Sequence, residues 1–253
     1  MDLGLKGLRA IVTGGTKGIG RRAADILADE GCHVSVCSRH ADEVKACVAA
    51  LGKKGVKAHG QALDVADKAA LESWVASAAA ELGGIDIVVA NVSALAGAGT
   101  EEAWQQQFEV DVMHTVRTVN AAMPQLEASK AASVVIVSSV SGREVDFFAG
   151  SYGATKAALI HYAHGLACQL APKNIRVNSV SPGNVYFKDG IWNSIEKDNP
   201  ELFKAALDLN PTGRMATAEE VGRGIVFLAS PASSFTSGTN LVIDGALTKG
   251  VQF

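Results

Sequence analysis

No lysine or arginine block in this sequence exceeds a pair such as Lys53-Lys54, and the net charge is only −3 with both signs spread throughout. That excludes the basic stripe a nucleic-acid partner requires. The four cysteines, Cys32, Cys37, Cys47 and Cys168, show no C-x-x-C spacing and stand in apolar or helical contexts. They read as reduced thiols of a cytoplasmic protein, neither a disulfide framework nor a zinc site. The first nine residues carry Lys6 and Arg9 but no apolar run long enough for a signal peptide. Nowhere do about 18 apolar residues run uninterrupted, so no membrane span is expected. Internal repeats, low-complexity tracts and a linker between halves are missing too. One α/β domain is therefore the expectation for 253 residues of 48% hydrophobic content.

What is present alternates between apolar strands and helical patterns. Arg9 to Thr13 (R-A-I-V-T) is a β-branched run, followed at once by Gly14-Gly15-Thr16-Lys17-Gly18-Ile19-Gly20 and a helical pattern through Glu30 that Gly31 stops. Strand, glycine loop and helix form the phosphate-binding unit of a dinucleotide fold. The glycines permit a tight turn and close backbone approach, and the helix N-terminus favours a negative pyrophosphate. Gly14, Thr16, Lys17, Gly18, Ile19 and Gly20 are therefore cofactor candidates. The second strand, His33 to Ser38, ends at Ser38-Arg39. An acidic residue there would bind the ribose 2′-hydroxyl of NAD, whereas an arginine suits the 2′-phosphate of NADP. With no carboxylate at that position to repel a phosphate, and Lys17 as a second cation nearby, NADP(H) is favoured over NAD(H).

A helix over 42–51, a strand over 56–65 ending in Asp64-Val65, and a helix over 69–82 follow. Residues 85–92 (I-D-I-V-V-A-N-V) are apolar enough for a central strand buried on both faces. Asn91 at its carboxyl end either ties down a neighbouring strand or lines the cofactor crevice. After the 94–100 loop comes a long helix, 101–126, with Trp104, Phe108, Val112 and Val116 at three-to-four spacing and Asp111 on a partly apolar face.

The chemistry gathers between 133 and 156. A strand over 133–137 ends in Ser138-Ser139, and a second segment reads Tyr152-Gly153-Ala154-Thr155-Lys156. In a helix, Tyr152 and Lys156 lie one above the other on one face. A free phenol has a pKa near 10, so holding it as phenolate near neutral pH costs roughly 4 kcal/mol; a fixed ammonium beside it recovers much of this. Ser139, at a strand end, can supply a hydroxyl to the point where a substrate oxygen gains or loses a proton. Ser139, Tyr152 and Lys156 are thus catalytic candidates, and Asp111, if near the crevice, would interact strongly with Lys156.

His161 and His164 have no acidic or thiol partner at ligand spacing, so no metal site is expected. A strand over 175–180 breaks at Ser181-Pro182-Gly183. The segment 184–215, with Tyr186, Phe187, Trp192 and Phe203 among charges, lies where α/β sheets bind ligands and reads as a substrate lid, with a short helix from Pro200 to Leu207. A helix over 219–228, a strand over 240–244 and a tail over 245–253 complete the chain. Ser141, Glu144 and Phe148 from the 140–148 loop, with Tyr186 and Trp192 from the lid, are the substrate candidates. Their mixture suits a compact, partly polar carbonyl or alcohol at least as well as a long acyl chain.

In this order and spacing, T-G-x-x-x-G-x-G at 13–20, Asp64-Val65, Asn91, Ser139, Tyr152-x-x-x-Lys156, Asn178 with Pro182-Gly183, and Asp244-Gly245 make the chain resemble the short-chain dehydrogenase/reductases from end to end. The resemblance implies a single Rossmann-type, doubly wound, seven-stranded parallel sheet. It also implies a nicotinamide cofactor, held in part by Pro182, Gly183 and Val185, and a homo-oligomer, tetramer or dimer, built on the long central helices. By the same resemblance Tyr152 is the general acid/base, Ser139 orients the substrate oxygen, and Lys156 both lowers the tyrosine's pKa and holds the nicotinamide ribose. Three positions depart from the family pattern. Ala90-Asn91-Val92-Ser93 replaces N-N-A-G. Asp111 replaces an asparagine that anchors a water relay, and its carboxylate would pair with Lys156 and oppose the tyrosine's acidity. Tyr186 replaces a threonine that touches the cofactor amide. The implied function is an NADP(H)-dependent oxidoreductase passing hydride between the nicotinamide and a ketone or secondary alcohol. The alternatives are an enzyme resembling 3-oxoacyl carrier-protein reductases and a non-catalytic NADP-binding sensor or scaffold, the latter motivated by Val92-Ser93 and Asp111.

Overall fold

The most apolar runs become the middle of a parallel sheet. The computed structural model describes residues 2–96, 99–148 and 150–251. Positions 97–98 of the expected 94–100 loop and 252–253 of the expected tail lie outside the described residues. The strands in chain order are β1 (Arg9–Thr13), β2 (His33–Ser38), β3 (Ala58–Ala62), β4 (Ile87–Ala90), β5 (Ser133–Val137), β6 (Arg176–Pro182), β7 (Val185–Tyr186), β8 (Ala216–Thr217) and β9 (Asn240–Ile243). Seven form one sheet in the order β3-β2-β1-β4-β5-β6-β9, every pairing parallel, while β7 and β8 pair separately. β4 and β5 are buried at every position, as strands covered on both faces must be.

Helices α1 (Gly18–Asp29), α2 (Ala41–Gly52) and α9 (Ala218–Ala229) pack on one face, where Leu27, Leu51, Val221 and Ile225 meet Val12, Val36 and Val89. On the other face, α3 (Lys68–Leu82), α5 (His114–Ala128) and α6 (Ser151–Leu170) bring Trp74, Val119 and Leu159 against Ile11, Val88, Val134 and Ile136. The chain leaves the sheet edge at β3 and re-enters beside β1 as β4. That reversal opens a crevice beyond the carboxyl ends of β1 and β4, where open α/β sheets hold ligands.

Three expectations change. The strands expected over 56–65 and 85–92 are shorter, because β2 offers β3 partners only from Val34 to Ser38 and β1 pairs β4 only through Ala10, Ile11 and Val12. The helix expected over 101–126 is α4 (Glu101–Gln107), a π turn (Phe108–Met113) and α5. Trp104 and Phe108 are not core residues: they are 43% and 49% exposed. Besides Ala103, Val119, Ala122 and Leu126, this helix buries the polar residues Gln107, Asp111, His114, Thr115 and Thr118, each of which has a polar partner. Finally, the 184–215 segment, expected to be without a helix before Pro200, carries the amphipathic α7 (Ile191–Asp198), whose Trp192 is buried, before α8 (Pro200–Leu209). Trp192, Ala206 and Met215 form a small apolar centre of their own with Phe148, Tyr186 and Phe203. Among the described residues no helix is long and apolar enough to cross a membrane.

Asp86, just before β4, fastens the two central strands at their amino ends. Its carboxylate accepts from Arg9 Nε and Nη2 at 2.7 Å each, from the Arg9 backbone N–H at 2.9 Å and from Ser129 Oγ at 2.6 Å. Burial alone would push this carboxyl up, but the Arg9 and Ser129 hydrogen bonds hold it below the usual aspartate value. A carboxyl so depressed contributes stability that is complete above its unfolded pKa and is lost as pH falls through the folded value. Asp86→Ala is expected to cost about 3 kcal/mol in urea unfolding at pH 7, and the gap to the wild type should close below about pH 4.

Candidate active site

At the end of β5 the chain turns through Ser138-Ser139 into a single 3-10 turn, Val140–Gly142, laid against α6. Ser138 Oγ donates to the Lys156 carbonyl at 2.8 Å. Gly142 permits the approach: a Cβ there would lie 2.6 Å from the Lys156 carbonyl carbon. Ser139, Tyr152 and Lys156 consequently line one cleft, together with Lys17, Gly18, Ile19, Asn91, Pro182, Gly183 and Val185.

Lys156 is a buried cation with three neighbours. Its Nζ donates to Val137 O at 3.2 Å, lies 2.9 Å from Asp111 Oδ2, and stands 5.5 Å from the centre of the Tyr152 ring. Burial opposes the ammonium, yet the Asp111 charge and, after it, Tyr152 more than reverse that, so the Lys156 pKa is raised. The Asp111 side chain is wholly buried. Its Oδ1 accepts the Ala94 N–H at 2.9 Å, while Oδ2 meets the ammonium at ion-pair distance without hydrogen-bond angles, so that contact is charge on charge. The Asp111 carbonyl accepts from Thr115 Oγ1 at 2.8 Å. The carboxylate thus touches Lys156 directly, and the cation that would stabilise a Tyr152 phenolate is already paired.

One turn on, His114 is buried and pushed down to about 4, chiefly by desolvation, so it is neutral at physiological pH. Its Nδ1 faces the Val110 carbonyl, which can only accept, and this assigns the proton to Nδ1. Nε2 then accepts from Thr13 Oγ1 at 3.2 Å, and that oxygen accepts the Asn91 N–H at 2.9 Å. Asn91 Nδ2 also donates to Thr13 O at 3.1 Å. Asn91 therefore does both things open to it: it ties β4 to β1 and lines the crevice. The unusual Val92-Ser93 stretch and the loop after it are held from the helix side: Gln107 Nε2 donates to Ser93 Oγ at 3.4 Å, Ala96 N–H donates to Gln107 Oε1 at 2.8 Å, and Ser151 Oγ donates to Ala96 O at 3.0 Å.

Toward β2, a second cavity is lined by Gly14, Thr16, Ser38, Arg39, Asp64 and Val65. It shares Lys17, Asn91, Ser93 and Leu95 with the first, so the two are one crevice. Helix α1 opens onto it without a side-chain cap and with no acidic residue in its first turn, which suits an anion. A Cβ on Gly20 would fall 2.4 Å from Gly14 O and 2.5 Å from Asn91 Nδ2, so the loop depends on glycine for its shape. An uncapped helix start, with Ser38 and Arg39 at one end of the crevice and Ser139, Tyr152 and Lys156 at the other, fits a dinucleotide.

The Ser38-Arg39 position itself holds no carboxylate, but the cavity does: Glu43, in the first turn of α2, is in its lining. Its Oε1 is 2.8 Å from Lys17 Nζ and its Oε2 accepts from Thr16 Oγ1 at 3.2 Å. Lys17, with help from Thr16, holds the Glu43 carboxyl below its usual value. Its place in the first turn of the helix that follows Arg39 was the available signal.

Of the substrate candidates, Ser141, Phe148 and Trp192 line the cleft. The Phe148 ring is 5.8 Å from Tyr152 and 6.0 Å from Trp192, edge to face in both cases. Ser139 Oγ donates to Ser141 Oγ at 3.2 Å, and Ser141 Oγ to Asp146 Oδ2 at 2.5 Å. Glu144 is not in the lining; it accepts the Gly250 N–H at 2.8 Å and the Lys249 N–H at 3.4 Å from the tail. Tyr186 is outside as well, its hydroxyl donating to Glu196 and accepting from Asn193 Nδ2 at 2.9 Å. Side chains alternate along the extended 185–187 segment, so Val185 and Phe187 face the cleft and Phe187 covers Gly18.

Known proteins share this architecture. A family model described as enoyl-(acyl carrier protein) reductase matches residues 14–248. The chain is 41% identical over 259 residues to isoepoxydon dehydrogenase patN of Penicillium expansum, covering 100% of this chain and 99% of that protein. L-sorbose reductase from Gluconobacter frateurii, solved with NADPH and L-sorbose, superposes with a TM-score of 0.91 at 30% identity over 99% of this chain and 100% of that one. A 7α-hydroxysteroid dehydrogenase, solved with NADH and 7-oxo glycochenodeoxycholic acid, superposes at 0.90 with 26% identity over 97% and 96%.

The buried pair makes a direct prediction. Asp111→Asn keeps an acceptor for Ala94 but strands the ammonium, and should lower the unfolding free energy at pH 7 by about 3–5 kcal/mol in urea titration. In the wild type the Lys156 pKa is raised on folding, so its contribution is complete below the ordinary lysine value and is lost only as pH rises through the higher folded value.

Proposed function

This chain belongs to the short-chain dehydrogenase/reductase family, and on that premise we propose that it is an NADP(H)-dependent oxidoreductase of a ketone or secondary alcohol. The observation that carries the reading is the meeting of Ser139, Tyr152 and a charged, fixed Lys156 at one end of a crevice whose other end presents Arg39 and Lys17. NADP(H), bound in that crevice, would supply the hydride chemistry. Tyr152 gives its proton to the substrate oxygen during reduction and takes it back during oxidation. Ser139 donates a hydrogen bond to that oxygen as charge develops on it. Lys156 favours the phenolate and holds the nicotinamide ribose, and Asp111 keeps the ammonium charged and in place. Gly14, Thr16, Gly18, Ile19 and Gly20 would hold the pyrophosphate, Ser38, Arg39 and Lys17 the 2′-phosphate, Asp64 and Val65 the adenine end, and Asn91, Pro182, Gly183 and Val185 the nicotinamide end. The NADPH bound by L-sorbose reductase supports this choice. The NADH bound by the steroid dehydrogenase makes the chain's own cations the deciding consideration.

Ser141, Asp146, Phe148 and Trp192 mix polar and aromatic surface, which favours a compact, oxygenated substrate over a long acyl chain. The L-sorbose of the solved relative and the dehydrogenase activity named for the fungal one support that class. The segment 184–215, which brings Phe187 and Trp192 to the cleft, serves as its lid. Trp104 and Phe108, exposed on the helix that carries Asp111, suit burial against a second copy, giving a homotetramer or dimer. Four unpaired cysteines fit a cytoplasmic setting. The second reading, a non-catalytic NADP sensor, draws on the Asp111 contact, which engages the cation a phenolate needs.

Four measurements test the proposal. NADPH absorbance, followed with a panel of sugars, cyclic ketones and β-keto thioesters, should fall with at least one substrate. Tyr152→Phe should slow that turnover about a thousandfold while NADPH still raises the melting temperature. Thermal stabilisation with no turnover on any substrate favours the sensor. Arg39→Asp should move the affinity ratio toward NAD(H), and unchanged NADPH affinity would sink the 2′-phosphate assignment. Phe108→Glu should reduce the mass seen by size-exclusion chromatography with light scattering.

A further inference from the structure

Lys17 and Arg39 both line the cavity assigned to the 2′-phosphate, but they are not equally available. Arg39 is exposed and has no acidic partner among the described residues. Lys17 is already in contact with Glu43 at 2.8 Å, and the same carboxylate accepts from Thr16. Both partners of Glu43 therefore belong to the glycine loop. Its position does not depend on them alone. Glu43 and Asp42 occupy the first turn of α2, where the helix dipole favours negative charge. The carboxylate is thus held at the cavity wall whether or not Lys17 stays on it.

A plain surface ion pair tying the loop to α2 would account for the contact but predicts nothing about cofactors. The location adds a consequence. A phosphate monoester carries between one and two negative charges near neutral pH. Placed beside Arg39, it needs Lys17 as a second counter-charge and meets Glu43 as a like charge. The 2′-hydroxyl of NAD(H) brings no charge and makes neither demand.

We propose that Glu43 is a cofactor-specificity residue that competes with the 2′-phosphate for Lys17, weakening NADP(H) selectively and leaving NAD(H) almost untouched. The inference rests on the assignment of the Ser38–Arg39 end to the 2′-phosphate. It makes Lys17 a shared cation: it either closes the glycine loop onto α2 or serves the cofactor. The preference set by Arg39 is then a tempered one, and the tempering resides in a residue that need not touch the cofactor.

The test is fluorescence titration of the full chain with NADPH and with NADH, using the wild type, Glu43→Gln, Lys17→Met and the double variant. Glutamine keeps an acceptor for Thr16, Glu43→Ala serves as a second variant, and melting temperatures check the fold. Glu43→Gln should lower the NADPH Kd about fivefold, the size of an exposed ion-pair rearrangement, and change the NADH Kd less than about twofold. In the Lys17→Met background the gain should shrink to about twofold or less. An unchanged or weaker NADPH affinity in Glu43→Gln overturns the proposal, as does an equal gain for both cofactors. If the wild type prefers NADH while Glu43→Gln gains for NADPH alone, the NADP(H) reading falls and the role of Glu43 stands. If the wild type prefers NADPH and Glu43→Gln changes nothing, the role of Glu43 falls and the cofactor reading stands.

Discussion

A lysine ammonium withdrawn from water must be repaid by charge or hydrogen bonds, and the middle of this molecule is arranged around that requirement. Lys156 reaches from α6 to the end of β5, where Val137 lends a carbonyl, and to the π turn, where Asp111 lends a charge. Asp111 in turn fastens Ala94. Helix, strand end, π turn and crevice-lining loop therefore meet on one cation. Because each partner is buried, none can relax toward solvent without leaving the others exposed to the full desolvation cost.

The face this helix turns inward makes this possible. A regular helix through 101–126 carrying Trp104 and Phe108 into the core would leave no place for a buried carboxylate. The observed helix instead turns Gln107, Asp111 and His114 inward, each of which finds a partner: Ala96 for Gln107, Ala94 and Lys156 for Asp111, Thr13 and Val110 for His114. Polar burial on this scale is stable only when the network is fully engaged. Here it also joins the glycine loop to the cleft through Thr13 and Asn91.

Much of this was legible in residue order. Strand and helix periods placed all seven strands of the sheet, and the i, i+4 spacing of Tyr152 and Lys156 put them on one helix beside Ser139. What was not legible has physical causes. Three-to-four apolar spacing does not say which face a helix buries, and Trp104 and Phe108 lie on the exposed one. Glu43 is far from Lys17 in sequence, and only the packing of α2 beside the glycine loop brings them together. Alternation along 185–187 decides that Phe187 rather than Tyr186 faces the cleft, and the register of an extended segment is set by its neighbours. Glu144 was claimed by the tail, a contact more than a hundred residues away in sequence.

The position of β1 has a consequence for synthesis. It leads the chain yet lies inside the sheet, flanked by β2, which follows closely, and by β4, which does not exist until residue 87 is made. Until then the emerging chain carries an apolar strand with one side of its backbone unpaired, together with Arg9, whose carboxylate partner at Asp86 comes just as late. Such an edge is a template for other chains. A nascent or truncated product ending before β4 is therefore the form of this protein most in need of a chaperone, and a pause in translation is better tolerated after that strand than before it.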